Sequence, residues 1–143
     1  MSIRPALPSE HAAIRALLAD NGLPVQDLTD ADVGFLIADT DGAIAGVVGV
    51  QRFGDTGLLR SLAVHADARR SGTGGHLVAA AESAARAQGL RELVLLTQTA
   101  SAFFTRRGYV AIDRASAPAA VHSSAEFQSL CPASATCLIK SLE

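Results

Sequence analysis

The chain has 143 residues, of which 49% are hydrophobic and 18% charged, and a formal net charge of −2. That length suits one domain spanning residues 1–143, with enough apolar material for one core. The near balance of Lys+Arg (12) against Asp+Glu (14) argues against a broad basic surface for nucleic acid. No run of about 18 apolar residues reads as a membrane span. The opening Met1-Ser2-Ile3-Arg4-Pro5 lacks the long apolar stretch of a signal peptide. A cytoplasmic protein binding neither nucleic acid nor membrane is expected.

In chain order, residues 3–7 predict a short edge strand. Pro8 suits a first helical position and Glu10 the positive end of a helix. Ile14, Leu17 and Leu18 recur at helical spacing until Gly22 and Pro24 stop the run. Residues 34–38 and 43–50 predict two strands joined by a hairpin at Asp41-Gly42, and residues 58–64 a third. An Ala-rich helix follows over 74–88, with Leu77, Val78, Ala81 and Ala84-Ala85 on one face and Gly89 as its stop. Residues 93–97 form a buried strand, 100–107 a short helix ended by Gly108, 109–112 a strand, 123–130 a helix, and 136–140 a final strand. The long helix links strands 58–64 and 93–97 as a parallel crossover. The expected fold class is therefore α/β with a mixed sheet.

Between strand 58–64 and the long helix lies Arg69-Arg70-Ser71-Gly72-Thr73-Gly74, followed by Gly75. A helix start offers free N–H groups and the positive end of a dipole. Gly72 and Gly74 remove side chains that keep phosphate oxygens from the backbone. Ser71 and Thr73 add hydroxyls, and Arg69 and Arg70 add charge, so the loop fits a pyrophosphate. A P-loop needs a Lys after its last Gly, and the dinucleotide fingerprint needs another glycine spacing; neither pattern is met. The alternative is a glycine-rich helix entry without a ligand.

The run Leu62-Ala63-Val64, Arg69-x-x-Gly72-x-Gly74 and a helix, with Phe103-Phe104-x-x-x-Gly108-Tyr109 downstream, resembles the GNAT superfamily of acetyl-CoA-dependent N-acetyltransferases. The resemblance implies a centrally splayed mixed sheet with helices on both faces, and acetyl-CoA as co-substrate. It implies that the backbone of Leu62, Ala63 and Val64 pairs with the pantetheine arm. The N–H groups from Arg70 to Gly75 would hold the pyrophosphate, and Thr97 and Thr99 would lie beside the thioester. It also implies direct attack of a neutral amine, with no covalent enzyme intermediate. A homodimer fits the superfamily too.

Phe104 stands where many members place the Tyr that protonates the leaving thiolate, so the acid and the base are both unassigned. Tyr109 reads as core. Alternation puts Leu58, Arg60, Leu62 and Val64 on one strand face, with Ser61 opposite. Arg60 is then a fork for an anionic group on the acceptor, or else a surface or salt-bridged arginine. Asp55 is a weaker candidate for a base acting through water. Arg106 and Arg107 either approach the CoA phosphates or close a solvated helix end. His11, His65 and His76 read as structural or solvated.

Stretches around Gly22-Leu23-Pro24, residues 57–64, Ala117-Pro118-Ala119-Ala120, Glu126-Phe127 and residues 129–135 are similar to ArsN-type acetyltransferases of arsenic-resistance operons. That narrower resemblance implies a small-molecule amine acceptor, such as a phosphinothricin-like or arsenical amino acid. Protein acetylation, and a CoA-binding sensor without turnover, are the other functions that these residues allow. Cys131 and Cys137 read as free thiols, since their spacing matches no standard zinc pattern. A three-ligand soft-metal site with His122 is the alternative.

Overall fold

The computed structural model describes residues 1–28, 32–69 and 71–143. One seven-stranded sheet runs through it in the order β1-β2-β3-β4-β5-β7-β6. The strands are β1 (Ser2–Pro5), β2 (Val33–Thr40), β3 (Ala43–Phe53), β4 (Thr56–Val64), β5 (Glu92–Thr97), β6 (Val110–Ile112) and β7 (Thr136–Ser141). The helices are α1 (His11–Asp20), α2 (Thr73–Ala87) and α3 (Ser101–Thr105). Among the described residues, no helix is long and apolar enough to cross a membrane.

The β2–β3 hairpin turns at Asp41 (φ 52) and Gly42 (φ 86), both positive as a two-residue type I′ turn requires. Among the described residues only β4 and β5 pair in parallel, with α2 as the crossover between them. Helix α2 ends in a Schellman motif. Gly89 takes φ +82, its N–H donates to Arg86 O, and Leu90 N–H donates to Ala85 O. This C-cap turns the chain directly into β5.

Strand alternation sorts the core onto both sheet faces. On one face, Leu77, Val78, Ala81 and Ala85 of α2 pack with Leu59, Leu93, Leu95, Phe104 and Leu138. On the other, Ile14 and Leu18 of α1 cover Ile37, Val47 and Ala63. Beside them Val121 and Phe127 cover Leu58, Val94 and Cys137. Full burial of a leucine such as Leu58 or Leu93 contributes about 1.5–3 kcal/mol.

Residues 123–130 do not form an α-helix. A 3-10 turn (Ala119–Ser123) leads into a single π-helical turn (Glu126–Leu130). Ser124 explains the break: its hydroxyl donates to Val121 O (2.7 Å) and accepts from Phe127 N–H (3.2 Å). Side-chain bonds of this kind compete with the helical ladder. Arg114 then ties the π turn down through the carbonyls of Glu126, Phe127, Cys131 and Pro132.

Candidate active site

The site begins with a defect in the sheet. Strands β4 and β5 pair only from Thr56 to Leu58 (with Glu92 to Val94), and beyond Leu58 their pairing ends. On the other side of β4, Ala63 pairs with Val47 and Arg60 with Gly49, so Ser61 and Leu62 together oppose Val48. This is a β-bulge, and it holds Ser61 at φ +61, in the left-handed region that a non-glycine residue seldom adopts. Holding a residue there costs on the order of 1–3 kcal/mol.

The bulge overturns the simple alternation expected for the strand. Leu58 faces the Val121–Phe127 side, while Leu62 and Val64 pack on the α2 side and Ala63 on the α1 side. Leu58, Arg60, Leu62 and Val64 therefore do not share a face, because the extra residue resets the two-residue period. Ser61 is not opposite Arg60 either: Arg60 Nε donates to Ser61 Oγ at 3.3 Å.

Two cavities meet at this defect. One, of about 130 Å³, lies between the parted strands and is lined by Leu59, Leu62, Leu95, Ala100 and Phe104 among others. The second, of about 260 Å³, opens on the other side among residues 21–24, Gln98, Glu126, Leu130, Cys131 and Ala135. Leu23, Arg60, Ser61, Leu96, Thr97 and Thr99 line both. Thr97 and Thr99 thus stand at the junction, where Thr97 Oγ1 also accepts the N–H of Ala100 at 3.0 Å.

Phe104 is buried and lines the inter-strand cavity, edge-on to Phe103 and Tyr109 at 5.0 and 5.3 Å between centroids. Tyr109 is core: its hydroxyl donates to Glu82 Oε2 at 3.0 Å, and burial beside that carboxylate pushes its pKa up. The phenol therefore turns away from the cleft. Asp55 is exposed at the β3–β4 turn, at the opposite end of β4 from the bulge. It lines neither cavity, so its place in the fold removes it as a base.

At the other end of the cleft, the first hydrogen bond along α2 runs from His76 N–H to Gly72 O. The N–H groups of Thr73, Gly74 and Gly75 open the helix ahead of it. Gly72 adopts φ +83. A Cβ on Gly74 would sit 3.4 Å from the Phe103 ring, and one on Gly75 only 2.8 Å from Arg107 Nη2. The glycines therefore let α3 and Arg107 lie close over the helix start. Arg107 stacks on Phe103 at 3.7 Å, which keeps its charge at that end. Such a cradle suits an anion.

The remaining loop side chains are less available than the sequence implies. Thr73 is buried, its hydroxyl 2.8 Å from that of Ser71, which also bonds to Ala68 O. Arg69 is exposed but bonded to Val64 O and Asn21 Oδ1. Arg70 lies outside the described residues.

Arg60 is the largest departure. It is buried, and both Nη groups reach Asp27, at 2.6 and 2.7 Å. Its Nε lies 3.2 Å from Glu126 Oε2, and Nη1 also donates to Gln51. The salt-bridged alternative is therefore the one found, and the fork is already occupied by carboxylates of the chain itself. Burial opposes the Arg60 charge, but Asp27 and Glu126 outweigh it and keep the guanidinium protonated. The Arg60 hydrogen bonds hold Asp27 below the ordinary carboxylate range.

Sequence reasoning did not single out Glu126 as a site residue. It is buried in the wall of the second cavity, and burial pushes its pKa up against the pull of Arg60. The Cys131 thiol bonds to it, and burial with that neighbouring carboxylate pushes the thiol up to about 12. Cys137 lies apart in the apolar cluster under Val121 and Phe127. His122 bonds to Ala117 O and packs edge-on to Phe127. The three do not converge, and among the described residues no cluster of His, Cys, Asp and Glu has a metal-binding arrangement.

The acetyltransferase (GNAT) domain family matches residues 31–111, more than half of the chain. The chain belongs to the GNAT acetyltransferase family. An amino-acid acetyltransferase of Ectopseudomonas mendocina (strain ymp) is 35% identical to this GNAT chain over 96 residues, 66% of its length and 22% of the relative's. N-acetylglutamate synthase from Neisseria gonorrhoeae, solved with coenzyme A and N-acetyl-glutamate, superposes at a TM-score of 0.84 with 24% identity. That match covers 99% of this chain and 35% of the synthase. Rv2747 from Mycobacterium tuberculosis, solved with CoA, gives 0.84 at 22% identity, with both chains covered in full. The GNAT chain thus spans only about a fifth to a third of the first two relatives, and the likeness to the solved structures concerns the fold.

Proposed function

We propose that the protein transfers the acetyl group of acetyl-CoA to the primary amine of a small molecule of the amino-acid kind. The observation that carries this reading is the pair of cavities meeting at the β4 bulge. Acetyl-CoA would enter along the parted strands, its pyrophosphate on the N–H groups of Thr73, Gly74 and Gly75 beside Arg107. The free edge of β4 from Leu62 to Val64 offers backbone groups to its pantetheine arm as an added strand would. That placement brings the thioester to Thr97 and Thr99, where the second cavity would supply the amine. Phe104 donates no proton, so the thiolate would take its proton from water or from the attacking nitrogen. The amino-acid class is supported by the acetyltransferase of 35% identity.

An acceptor with a second anionic group, such as the phosphinothricin-like or arsenical amino acids that the ArsN resemblance implies, would have to take Arg60 from Asp27. The amine end needs no such exchange, since the second cavity presents the Glu126 carboxylate beside Arg60. Thiol release from acetyl-CoA should therefore be measured across amino acids, their decarboxylated amines, phosphinothricin-like amino acids and a lysine peptide. Turnover with a small amine supports the reading. Peptide turnover alone moves the function to protein acetylation, and acetyl-CoA binding without any turnover makes the domain a sensor.

A further inference from the structure

The cluster around Arg60 holds more negative charge than it needs. The guanidinium is fully buried and is already matched by the two-pronged contact with Asp27. A buried ion pair is balanced by one partner, and a second carboxylate adds desolvation cost without a second cation. Yet Glu126 also sits there, nine-tenths or more buried, meeting Arg60 at Nε (3.2 Å) and bonded to the Cys131 thiol. It lines the cavity that joins the inter-strand cleft at Arg60, Ser61, Thr97 and Thr99.

We propose that Glu126 is the general base of the reaction, taking a proton from the acceptor ammonium within the second cavity. This rests on the acetyl-transfer reading above. At neutral pH a primary amine arrives as R–NH3+, which has no lone pair for attack. Transfer of one proton to the Glu126 carboxylate gives R–NH2 and the carboxylic acid. The amine nitrogen then bonds to the thioester carbon and the C–S bond breaks, its electrons leaving on sulfur. The thiolate takes the second proton from that nitrogen, giving amide and CoA thiol, and Glu126 releases the first proton to solvent.

Burial suits Glu126 to this task, because it raises the carboxyl toward the working pH while Arg60 keeps the ionised form accessible. The groups that face it are Arg60 on β4, Asp27 on the segment before β2, and Cys131 beyond the π turn. Arg114 lies behind the same turn, bonded to its carbonyls. Loss of the thiol hydrogen bond in Cys131→Ala moves the Glu126 ionisation upward, since that bond favours the carboxylate.

The test is the pH dependence of kcat/KM for wild type, Glu126→Gln and Cys131→Ala, measured as thiol release with the best amine of the panel. The wild type should show an acid limb with one ionisation. Glu126→Gln should lose about 10²–10³-fold at pH 7 and recover toward the pKa of the free amine, its acid limb replaced by that of the substrate. Cys131→Ala should keep the limb but move it to higher pH, which decides the matter if the glutamine variant fails to fold. A merely structural carboxylate would lower activity evenly at all pH values. Wild-type turnover with an acid limb unmoved in either folded variant overturns this proposal alone. Absence of wild-type turnover with every amine overturns the acetyl-transfer reading and this one with it.

Discussion

Replacing Arg60 by Ala should damage the fold before it damages acceptor binding. The Arg60 side chain is 0% exposed, and those of Asp27 and Glu126 are 13% and 5% exposed. Removing the cation strands two carboxylates in low dielectric, at a cost of about 3–5 kcal/mol. Unfolding entropy of about 2.1 cal/mol/K per residue amounts to about 0.3 kcal/mol/K for a chain of this size, so Tm should fall by about 10–17 °C. The pH dependence follows from the shifts. Asp27, held low by Arg60, stabilises the fold above its unfolded pKa and loses that contribution as pH falls through the folded value. Glu126, raised, favours the fold below its unfolded pKa and loses that contribution as pH rises through the folded value. Without Arg60 both carboxyls resist ionisation, so the variant should be worst at pH 7–8 and recover relative to wild type toward pH 5. Adding Asp27→Asn should restore part of the loss. Melting curves by circular dichroism over that range are sufficient. A Tm within about 2 °C of wild type, together with a raised acceptor KM, would refute the buried ion pair and return Arg60 to substrate binding.

Two further outcomes follow from the cradle and the thiols. Gly75→Ala puts a Cβ within 2.8 Å of Arg107 Nη2, the mobile end of a long side chain. The fold should tolerate it within about 2 °C, while KM for acetyl-CoA rises about 10-fold; an unchanged KM would remove Arg107 from donor binding. Cys131 is pushed up to about 12 and Cys137 is buried, so neither should react with a thiol reagent at pH 7.5 until denaturant is added. Rapid labelling of the native protein would contradict the Glu126–Cys131 contact.

Most of the fold is legible in the sequence because its signals are local. The Asp41-Gly42 turn, the α2 apolar stripe and the Gly89 stop each act within a few residues, and each element stands where its pattern puts it. The glycine-rich turn before α2 is legible for the same reason: it feeds directly into a helix start, whose open N–H groups would suit an anion. The helix expected over 123–130 failed at Ser124, whose hydroxyl competes for backbone bonds that a propensity pattern does not track.

The charge pairing around Arg60 was decided by tertiary structure. A period of two assigns the β4 side chains to faces only while the strand is regular, and nothing local in Arg60-Ser61-Leu62 announces the extra residue opposite Val48. Likewise, no spacing rule links Asp27, Arg60 and Glu126, which are brought together from three distant segments around one guanidinium. Local sequence determined the strands, the long helix and the glycine-rich loop before it, because those depend on near neighbours and backbone conformation. Which charges are paired, which carboxylate is spare and where the two cavities meet depend on long-range burial, and only the folded chain sets that.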